Sequence, residues 1–256
     1  MNDHATRLVT LSEVYHLDMG RYVEDIGLWR HLVQSEYELV GRPVAVVEVG
    51  SGDGRIPAAV ASAATCARWT GVEVDGEMVR RSRHRLAHLR PFDVVTGDAS
   101  DAHTWGEIAA PVDLVIVPFS TFYLFRHDRQ VLLLEQVRRA LRPGGSVAIV
   151  AFAPRAEYRG PRSEVRHLVG PDDTSWVRLS TYLPNPLPDA QTTSVRRLYG
   201  PPEAPTMRLE EMLYWRRVDE WPDVLARAGF DATTWQVGPG GECPLVPAGQ
   251  VLVVAQ

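Results

Sequence analysis

The stretch Glu48-Val-Gly-Ser-Gly-Asp-Gly54 decides the fold predicted for this chain. It begins inside an apolar run, residues 44–49, which predicts a buried β-strand, and a helical pattern follows it. Glycines at alternate positions allow the backbone to turn sharply and allow a ligand to lie against the main chain. Free N–H groups at the start of the next helix favour an acidic or polar group. The stretch therefore predicts a ligand-binding loop between a strand and a helix.

Strand and helix patterns alternate beyond this loop. Helical patterns separate further apolar runs, which predict strands at residues 69–74, 92–96, 112–117 and 146–152. Five β-α units in this order predict an open, doubly wound parallel sheet. We expect strands at residues 230–237 and 250–254 to complete it.

Two regions lie outside this alternation. Residues 8–40 have helical spacing and predict an N-terminal helical region. Residues 155–215 contain short stretches of alternating polarity separated by proline and glycine, which predict an antiparallel insertion after the fifth strand. The chain length favours one elaborated domain, residues 1–256, over two.

Composition and charge exclude several classes of protein. The net charge of -5 argues against nucleic-acid phosphates as the main source of binding affinity. Cys66 and Cys243 lie far apart, which excludes zinc ribbons and cysteine triplets and fits a reducing, cytoplasmic compartment. The chain contains no lysine, so Schiff-base and Walker-lysine chemistry are excluded. The sequence shows no signal peptide and no run of membrane length, so we expect no membrane partner.

Acidic residues stand where two of the predicted strands end. In open α/β sheets, ligands bind beyond the carboxyl ends of the strands. Glu73 lies at such an end, where an acid can accept both hydroxyls of a ribose, while Asp75 is better placed to cap the next helix. Asp98 follows the strand 92–96 and is suited either to an adenine amino group or to an N-cap.

Five motifs occur in the order and spacing of one known family. They lie at residues 48–54, 71–78, 97–99, 112–119 and 141–145. Residues 10–152 thereby resemble class I S-adenosylmethionine (SAM) dependent methyltransferases. The acid before a G-x-G-x-G loop distinguishes this pattern from the dinucleotide fingerprint G-x-G-x-x-G. The inserted strands and the N-terminal tyrosines resemble the small-molecule branch that includes glycine N-methyltransferase and bacterial aminosugar N,N-dimethyltransferases.

This resemblance implies a fold, a cofactor and the residues that bind it. The fold is a Rossmann-like α/β domain with a seven-stranded sheet, a helical cap over residues 1–40 and a lid over residues 155–215. The cofactor is SAM, and no metal is implied. The implied cofactor-binding residues are Glu48, Gly50, Ser51, Gly52, Gly54, Glu73, Val74, Met78, Asp98, Ala99, Pro118, Phe119, Tyr15 and Tyr22.

The resemblance also implies methyl transfer to an amine or hydroxyl of a small molecule, in bacterial secondary or specialised metabolism, by a monomer or homodimer. Relatives often carry a histidine shortly after Pro-Phe, where this chain has Tyr123. The candidates for a catalytic base are therefore Tyr123, His127 and Tyr15. The sequence favours His127 as an exposed residue at the start of a helix, beside Asp128, over His127 as a base.

Other functions remain open from the sequence. A SAM-binding protein could catalyse a cyclisation or rearrangement instead of methyl transfer, since its cofactor site would look the same. An NAD-dependent oxidoreductase shares the glycine loop and the acid, but Asp98 and the glycine spacing disfavour it. Pro118-Phe-Ser-Thr121 replaces the Asn/Asp-Pro-Pro-Tyr of nucleic-acid methyltransferases, so we expect no nucleic-acid partner.

Two groups of side chains have undecided roles. The arginine-rich run 80–85 is predicted to be a solvated helix face that points away from the ligand. Aromatic residues of the insertion either line a substrate pocket or form the core under the inserted sheet; they are Trp176, Tyr182, Tyr199, Tyr214 and Trp215.

Overall fold

A computed structural model describes residues 7–19, 22–62, 64–89, 92–152, 160–170, 173–187, 190–231, 233–237 and 250–256. The elements in chain order are β1 (Arg7–Leu8), α1 (Leu11–Met19), α2 (Ile26–Val40), β2 (Val44–Val49), α3 (Arg55–Val60), β3 (Cys66–Glu73), α4 (Gly76–Arg85), β4 (Phe92–Thr96), α5 (Ala102–Gly106), β5 (Val112–Val117), α6 (His127–Ala140), β6 (Leu141–Phe152), β7 (Arg162–Val169), β8 (Ser175–Pro184), β9 (Thr192–Gly200), β10 (Met207–Tyr214), α7 (Trp221–Arg227), β11 (Thr233–Val237) and β12 (Gln250–Ala255). The chain folds as two compact units, residues 23–153 with 217–256, and residues 1–22 with 154–216.

The larger unit is built on a seven-stranded sheet with the strand order β11-β12-β6-β5-β2-β3-β4. Strands β2 to β6 pair in parallel, and β12 and β11 add antiparallel pairs at one side. Every residue of β2 and β5 is buried, because helices cover both faces of such a sheet. The chain passes from β2 to β3 and β4 on one side and then returns to β5 on the other. The predicted open α/β sheet is confirmed. In such sheets ligands bind at the carboxyl edge where the strand order reverses, which here lies between β2 and β5.

Helix α2 packs on this sheet through one apolar face. Trp29 and Val33 are buried in a cluster with Val46 and Trp69 of the strands. Burial of an aliphatic side chain such as Val33 contributes about 1.5–3 kcal/mol. The apolar spacing that predicted a helix in this region therefore corresponds to a face that contacts the sheet.

Several predicted boundaries agree with the structure. Strand β4 has the predicted bounds, and Asp75 caps α4 by accepting hydrogen bonds from the N–H groups of Glu77 and Met78. Strand β3 begins at Cys66 instead of residue 69, and α4 ends at Arg85. Cys66 is a buried free thiol, whereas Cys243 and the other residues between the last two predicted strands, 239–244 among them, lie outside the described residues.

Strand β6 begins five residues earlier than the apolar run predicted, because it contains a bulge. Leu141 pairs with Val112 and Ser146 pairs with Leu114, so Asp113 alone lies opposite the four residues 142–145. The bulge directs Arg142 onto two acids: its Nε donates to Asp113 Oδ1 at 2.7 Å and its Nη2 to Glu36 Oε1 at 2.6 Å. Most of the motif at residues 141–145 therefore forms the bulged part of this strand, where the ion-pair network holds it.

The smaller unit is a five-stranded sheet with the order β1-β10-β9-β8-β7. Its pairs are antiparallel except for β1 with β10. Helix α1 packs on one face, where Val14, Tyr199 and Leu209 are buried and Trp176 packs against them. Of the aromatic residues left undecided above, Tyr199 and Trp176 thus belong to the core of this unit. Helix α1 belongs to the smaller unit and α2 to the larger.

Candidate functional site

The glycine loop lies between β2 and α3, at the carboxyl edge of the larger sheet. The backbone N–H groups of Gly50 and Ser51 donate to the carbonyl oxygen of Val72 at 2.8 and 3.1 Å, which holds the loop against β3. Gly50 and Gly54 have φ values of 68° and 79°, and a Cβ at either would lie 2.4 Å from Thr121 or 2.5 Å from Leu86. Side chains are thus excluded at both positions by conformation and by space.

Glu73 ends β3 beside this loop. One carboxylate oxygen accepts from the Gly52 N–H at 2.9 Å, and the other accepts from the N–H groups of Val74 and Asp75, each at 2.9 Å. Val74 is 71% exposed although it is apolar, whereas Met78 is buried. The end of β3 therefore places a partly exposed carboxylate against the loop, and an exposed apolar side chain directly follows it in the chain.

Glu48 lies on the other side of the loop, at the end of β2. Its side chain is buried, and Oε2 accepts a hydrogen bond from Trp69 Nε1 at 3.1 Å. Burial raises the pKa of Glu48 to about 8. The carboxyl group is therefore protonated in the folded protein at neutral pH, and its hydrogen bond to Trp69 links β2 to β3.

Asp98 follows β4 and makes three polar contacts. Its Oδ1 accepts from the N–H and the hydroxyl of Ser100 at 2.8 and 2.7 Å, and its Oδ2 accepts from Arg129 at 3.0 Å. Burial raises the pKa of Asp98, but these hydrogen bonds and the Arg129 charge outweigh it and hold the pKa below its usual value. The neighbouring Ala99 is buried and its carbonyl oxygen accepts from Trp105.

Pro118 and Phe119 follow β5 on the opposite side of β2. Pro118 is buried, and Phe119 is partly exposed with a φ of 53°, a conformation that residues with a side chain rarely adopt. The Arg55 guanidinium lies 5.1 Å from the centroid of the Phe119 ring. Four neighbouring strands thus carry these residues at one edge of the sheet, as predicted: Glu48 and Glu73 lie at the ends of β2 and β3, and Asp98 and Phe119 follow β4 and β5.

Comparison with known proteins identifies the domain. Residues 46–145 match the family model described as a methyltransferase domain. The chain therefore contains a SAM-dependent methyltransferase domain. SAM is its methyl donor, and the family resemblance inferred from the sequence motifs is confirmed.

Solved methyltransferase structures are similar to this chain over nearly its whole length. CcbJ from Streptomyces caelestis is 19% identical with a TM-score of 0.72, and the match covers 96% of each chain. CalS10, an amino pentose methyltransferase from Micromonospora echinaspora, is 15% identical with a TM-score of 0.73, covering 96% of this chain and 97% of CalS10. DesVI from Streptomyces venezuelae is 17% identical with a TM-score of 0.72, covering 96% and 98%. These similarities establish the class I fold, and no curated protein sequence matches the chain.

The three candidate bases of the methyltransferase have different surroundings. Tyr123 is fully buried, with its ring centroid 4.9 Å from that of Phe152 and 6.2 Å from that of Trp221. His127 is the first residue of α6 and is partly exposed. Tyr15 lies on α1 in the smaller unit, which also contains Tyr22, and both side chains are partly exposed. A role in proton transfer stays a prediction for each candidate.

The arginine-rich helix of the methyltransferase contacts the glycine loop, contrary to the sequence prediction. Arg80 and Arg81 pair with Glu77 on the same helix, as a solvated face would. Arg85, however, reaches Asp53 of the loop, with Nη2 and Oδ2 2.6 Å apart. The prediction was wrong for this residue because helical periodicity does not show what the end of α4 packs against.

Sequence reasoning also missed Arg55, which contacts Phe119, and Arg129, which contacts Asp98. It missed Asp25 as well, which pairs with Arg55. Only Arg55 carried a signal, since it directly follows the last glycine of the motif. Among the described residues, no group of three or more His, Cys, Asp or Glu side chains could hold a metal ion. Within the same ranges, no helix is long and apolar enough to cross a membrane.

Proposed function

We propose that this methyltransferase transfers a methyl group from SAM to an amine or hydroxyl group of a small molecule, with an aminosugar nitrogen as the leading candidate. The observation that carries the proposal is the position of Glu73, a partly exposed carboxylate hydrogen-bonded to the glycine loop. The candidate acceptor comes from similar structures, since CalS10 is an amino pentose methyltransferase and KedS8 is a sugar N-methyltransferase.

The residues at the sheet edge fit the parts of SAM. Glu73 would accept the two ribose hydroxyls, and the exposed Val74 together with Met78 would contact the adenine ring. Asp98 and Ala99 would face the adenine amino group. The remaining residues would surround the amino-acid part and the sulfur: Glu48, Gly50, Ser51, Gly52, Gly54, Pro118, Phe119, Tyr15 and Tyr22.

Two observations support this fit. The loop requires glycine at positions 50 and 54, because a Cβ there would clash with Thr121 or Leu86, and this requirement fits the glycine-rich loop of the proposed cofactor site. The apolar side chain of Val74 is exposed beside Glu73, as a ring-contacting residue must be before the ligand binds. When bound, the cofactor supplies an electrophilic methyl group on its sulfonium sulfur.

The protein's contribution to the reaction is alignment and exclusion of water. An amine attacks in its neutral form, so proximity in a dry cavity is sufficient for an amine acceptor. A hydroxyl acceptor needs a base, for which His127, Tyr123 and Tyr15 remain the candidates. Tyr123 would need to move out of its aromatic cluster to reach a ligand, whereas His127 and Tyr15 are partly exposed.

We further propose that residues 155–215 act as a lid that recognises the acceptor and that residues 1–40 form a cap on a single catalytic domain. The protein would act in the bacterial cytoplasm, as a monomer or homodimer, in secondary or specialised metabolism and without nucleic-acid or membrane partners. The net charge of -5 supports the absence of a nucleic-acid partner.

The test is formation of S-adenosylhomocysteine with a nucleotide-linked aminosugar as acceptor. The matched control is the same sugar with a hydroxyl in place of the amine. Turnover of the aminosugar alone supports N-methylation, and turnover of both supports a relaxed acceptor. A rearranged or cyclised acceptor without S-adenosylhomocysteine would instead favour the non-methylating alternative.

A further inference from the structure

A buried ion pair lies directly behind the glycine loop. Arg55, the first residue of α3, donates from Nη1 and Nη2 to the two carboxylate oxygens of Asp25, both at 2.8 Å. The side chains are 9% and 2% exposed. Trp29 Nε1 also donates to Asp25 at 2.8 Å. A two-point arginine–carboxylate contact of this kind holds the guanidinium plane in one orientation.

Asp25 does not serve the helix that it precedes. It occupies the N-cap position of α2, where an aspartate usually accepts a hydrogen bond from the first turn of its helix. No such bond forms here, because the carboxylate is directed to Arg55 and Trp29. The pair therefore joins two elements whose sequences are 30 residues apart.

Arg55 in turn contacts Phe119. Its guanidinium carbon lies 5.1 Å from the ring centroid, within the range of a cation–π interaction. The Phe119 backbone has a φ of 53°, which is unfavourable for a residue with a side chain and persists only where surrounding contacts hold it. The cation–π contact from Arg55, whose guanidinium Asp25 orients, is such a contact.

The strand order indicates which part of SAM would lie near Phe119. Glu73 and Asp98, assigned above to the ribose and adenine, follow β3 and β4 on one side of β2. Phe119 follows β5 on the other side of β2, and the glycine loop lies between them. A ligand whose nucleoside lies over β3 and β4 extends its amino-acid chain across the loop toward β5.

We infer that Asp25 and Arg55 are positioning residues that orient Phe119 for the amino-acid half of the methyl donor. This inference rests on the proposed assignment of Glu73, Asp98 and Phe119 to the cofactor. Neither member of the pair needs to touch the ligand. Asp25 orients Arg55, and Arg55 holds Phe119 and the start of α3 in place.

The test compares two ligands on the full-length protein. S-adenosylhomocysteine contains the amino-acid chain, and 5′-methylthioadenosine contains the same nucleoside without it. Asp25→Asn and Arg55→Lys should each weaken the binding of S-adenosylhomocysteine by roughly tenfold in calorimetric titration, since Phe119 would no longer be held in one orientation before the ligand binds. The affinity for 5′-methylthioadenosine should change by less than about twofold. Arg80→Lys is the matched control, because Arg80 is exposed and pairs only with Glu77 among the contacts described.

Equal weakening of both ligands, or no weakening of either, would overturn the inference. Phe119→Leu still tests the inference if the Asp25→Asn and Arg55→Lys variants do not fold. It should reproduce the selective loss of S-adenosylhomocysteine, and wild-type affinity in this variant would also overturn the inference. Failure of the wild type to bind either ligand would instead contradict the proposed cofactor site itself.

Discussion

The Gly52 N–H donates a hydrogen bond of 2.9 Å to Glu73, so the loop after β2 is tied to the carboxylate that ends β3. The same carboxylate accepts two further N–H groups, from Val74 and Asp75. One side chain therefore shapes the loop and, in the proposed site, would also accept the ribose hydroxyls. This double role makes Glu73 the residue whose substitution most directly tests the cofactor site.

Glu73→Ala should weaken SAM binding by about ten- to a hundredfold, because loss of a charged acceptor costs roughly 1.5–3 kcal/mol. Calorimetric titration with SAM measures the change, and NAD should not bind to either protein. Glu77→Gln is the control, since Glu77 pairs with Arg80 and Arg81 and has no described contact with the loop. Wild-type SAM affinity in Glu73→Ala would mean that the ribose lies elsewhere.

Gly52→Val should abolish SAM binding. Gly52 has a φ of 55°, which a β-branched residue adopts only with strain, and the new side chain would enter the volume of the cofactor. Gly76→Ala is the matched control, because a Cβ there meets no atom within 4 Å. Thermal unfolding with and without 100-fold excess of SAM over its Kd separates binding from stability, since saturation should add about 2.7 kcal/mol. A stabilising shift in Gly52→Val equal to that of the wild type would contradict the prediction.

Glu48→Gln should flatten the dependence of stability on pH. Burial raises the pKa of Glu48 to about 8, whereas an unfolded glutamate titrates near about 4.3. The folded state therefore retains a proton that the unfolded state releases. The contribution of Glu48 to the free energy of unfolding is fully present below about pH 4 and declines as the pH rises toward about 8.

Urea unfolding at about pH 5, 6.5 and 8 measures this effect. The glutamine keeps an acceptor for Trp69, so the variant should be more stable than the wild type at the highest pH. Glu77→Gln again serves as the control, because hydrogen bonds from Arg80 and Arg81 lower the pKa of Glu77 to about 2, outside this window. Parallel pH profiles for wild type and Glu48→Gln would show that Glu48 is ionised in the folded protein.

Tyr182→Phe should alter acceptor turnover while leaving SAM affinity and molecular mass unchanged. The Tyr182 hydroxyl donates to Glu164 at 2.9 Å on the sheet face that also carries Arg178, Tyr199 and the contact with α1. The phenylalanine keeps the ring and removes only this hydrogen bond. Steady-state kinetics with the acceptor gives the readout.

Val165→Ala provides the comparison for the lid prediction, because Val165 is 61% exposed and lies on the opposite face of β7 from Glu164. If the insertion is only a dimer surface, Val165→Ala should dissociate the oligomer while Tyr182→Phe leaves kinetics unchanged. Tyr199→Ala is unsuitable for this purpose, since Tyr199 is fully buried and its loss would destabilise the unit.

Local pattern predicted much of this fold. Apolar runs predicted the bounds of β4 and the ends of β2 and β5, and capping chemistry predicted the cap at Asp75. Both signals involve residues that are neighbours in the sequence. The bulge in β6 was not predictable, because it depends on Arg142 meeting Asp113 and Glu36, which are distant in sequence.

The same distinction holds at the candidate site. Glycine spacing and acids at strand ends located the loop, Glu73 and Asp98. The ion pairs Asp25–Arg55, Asp53–Arg85 and Asp98–Arg129 join residues about 30 positions apart, and no periodicity connects them. Several acidic residues lie near each arginine in the sequence, so the sequence alone does not identify its partner. The partner depends on the tertiary packing.

The parallel pairing of β1 with β10 has a consequence for the order of folding during synthesis. Arg7 lies opposite Met207, so β1 cannot pair with β10 until most of the chain has been synthesised. Strands β11 and β12 complete the larger sheet later still. Neither unit can close early in translation, and such non-local pairing slows folding. Premature termination before residue 207 would leave the N-terminal strand without its partner and the β6 edge of the larger sheet uncovered.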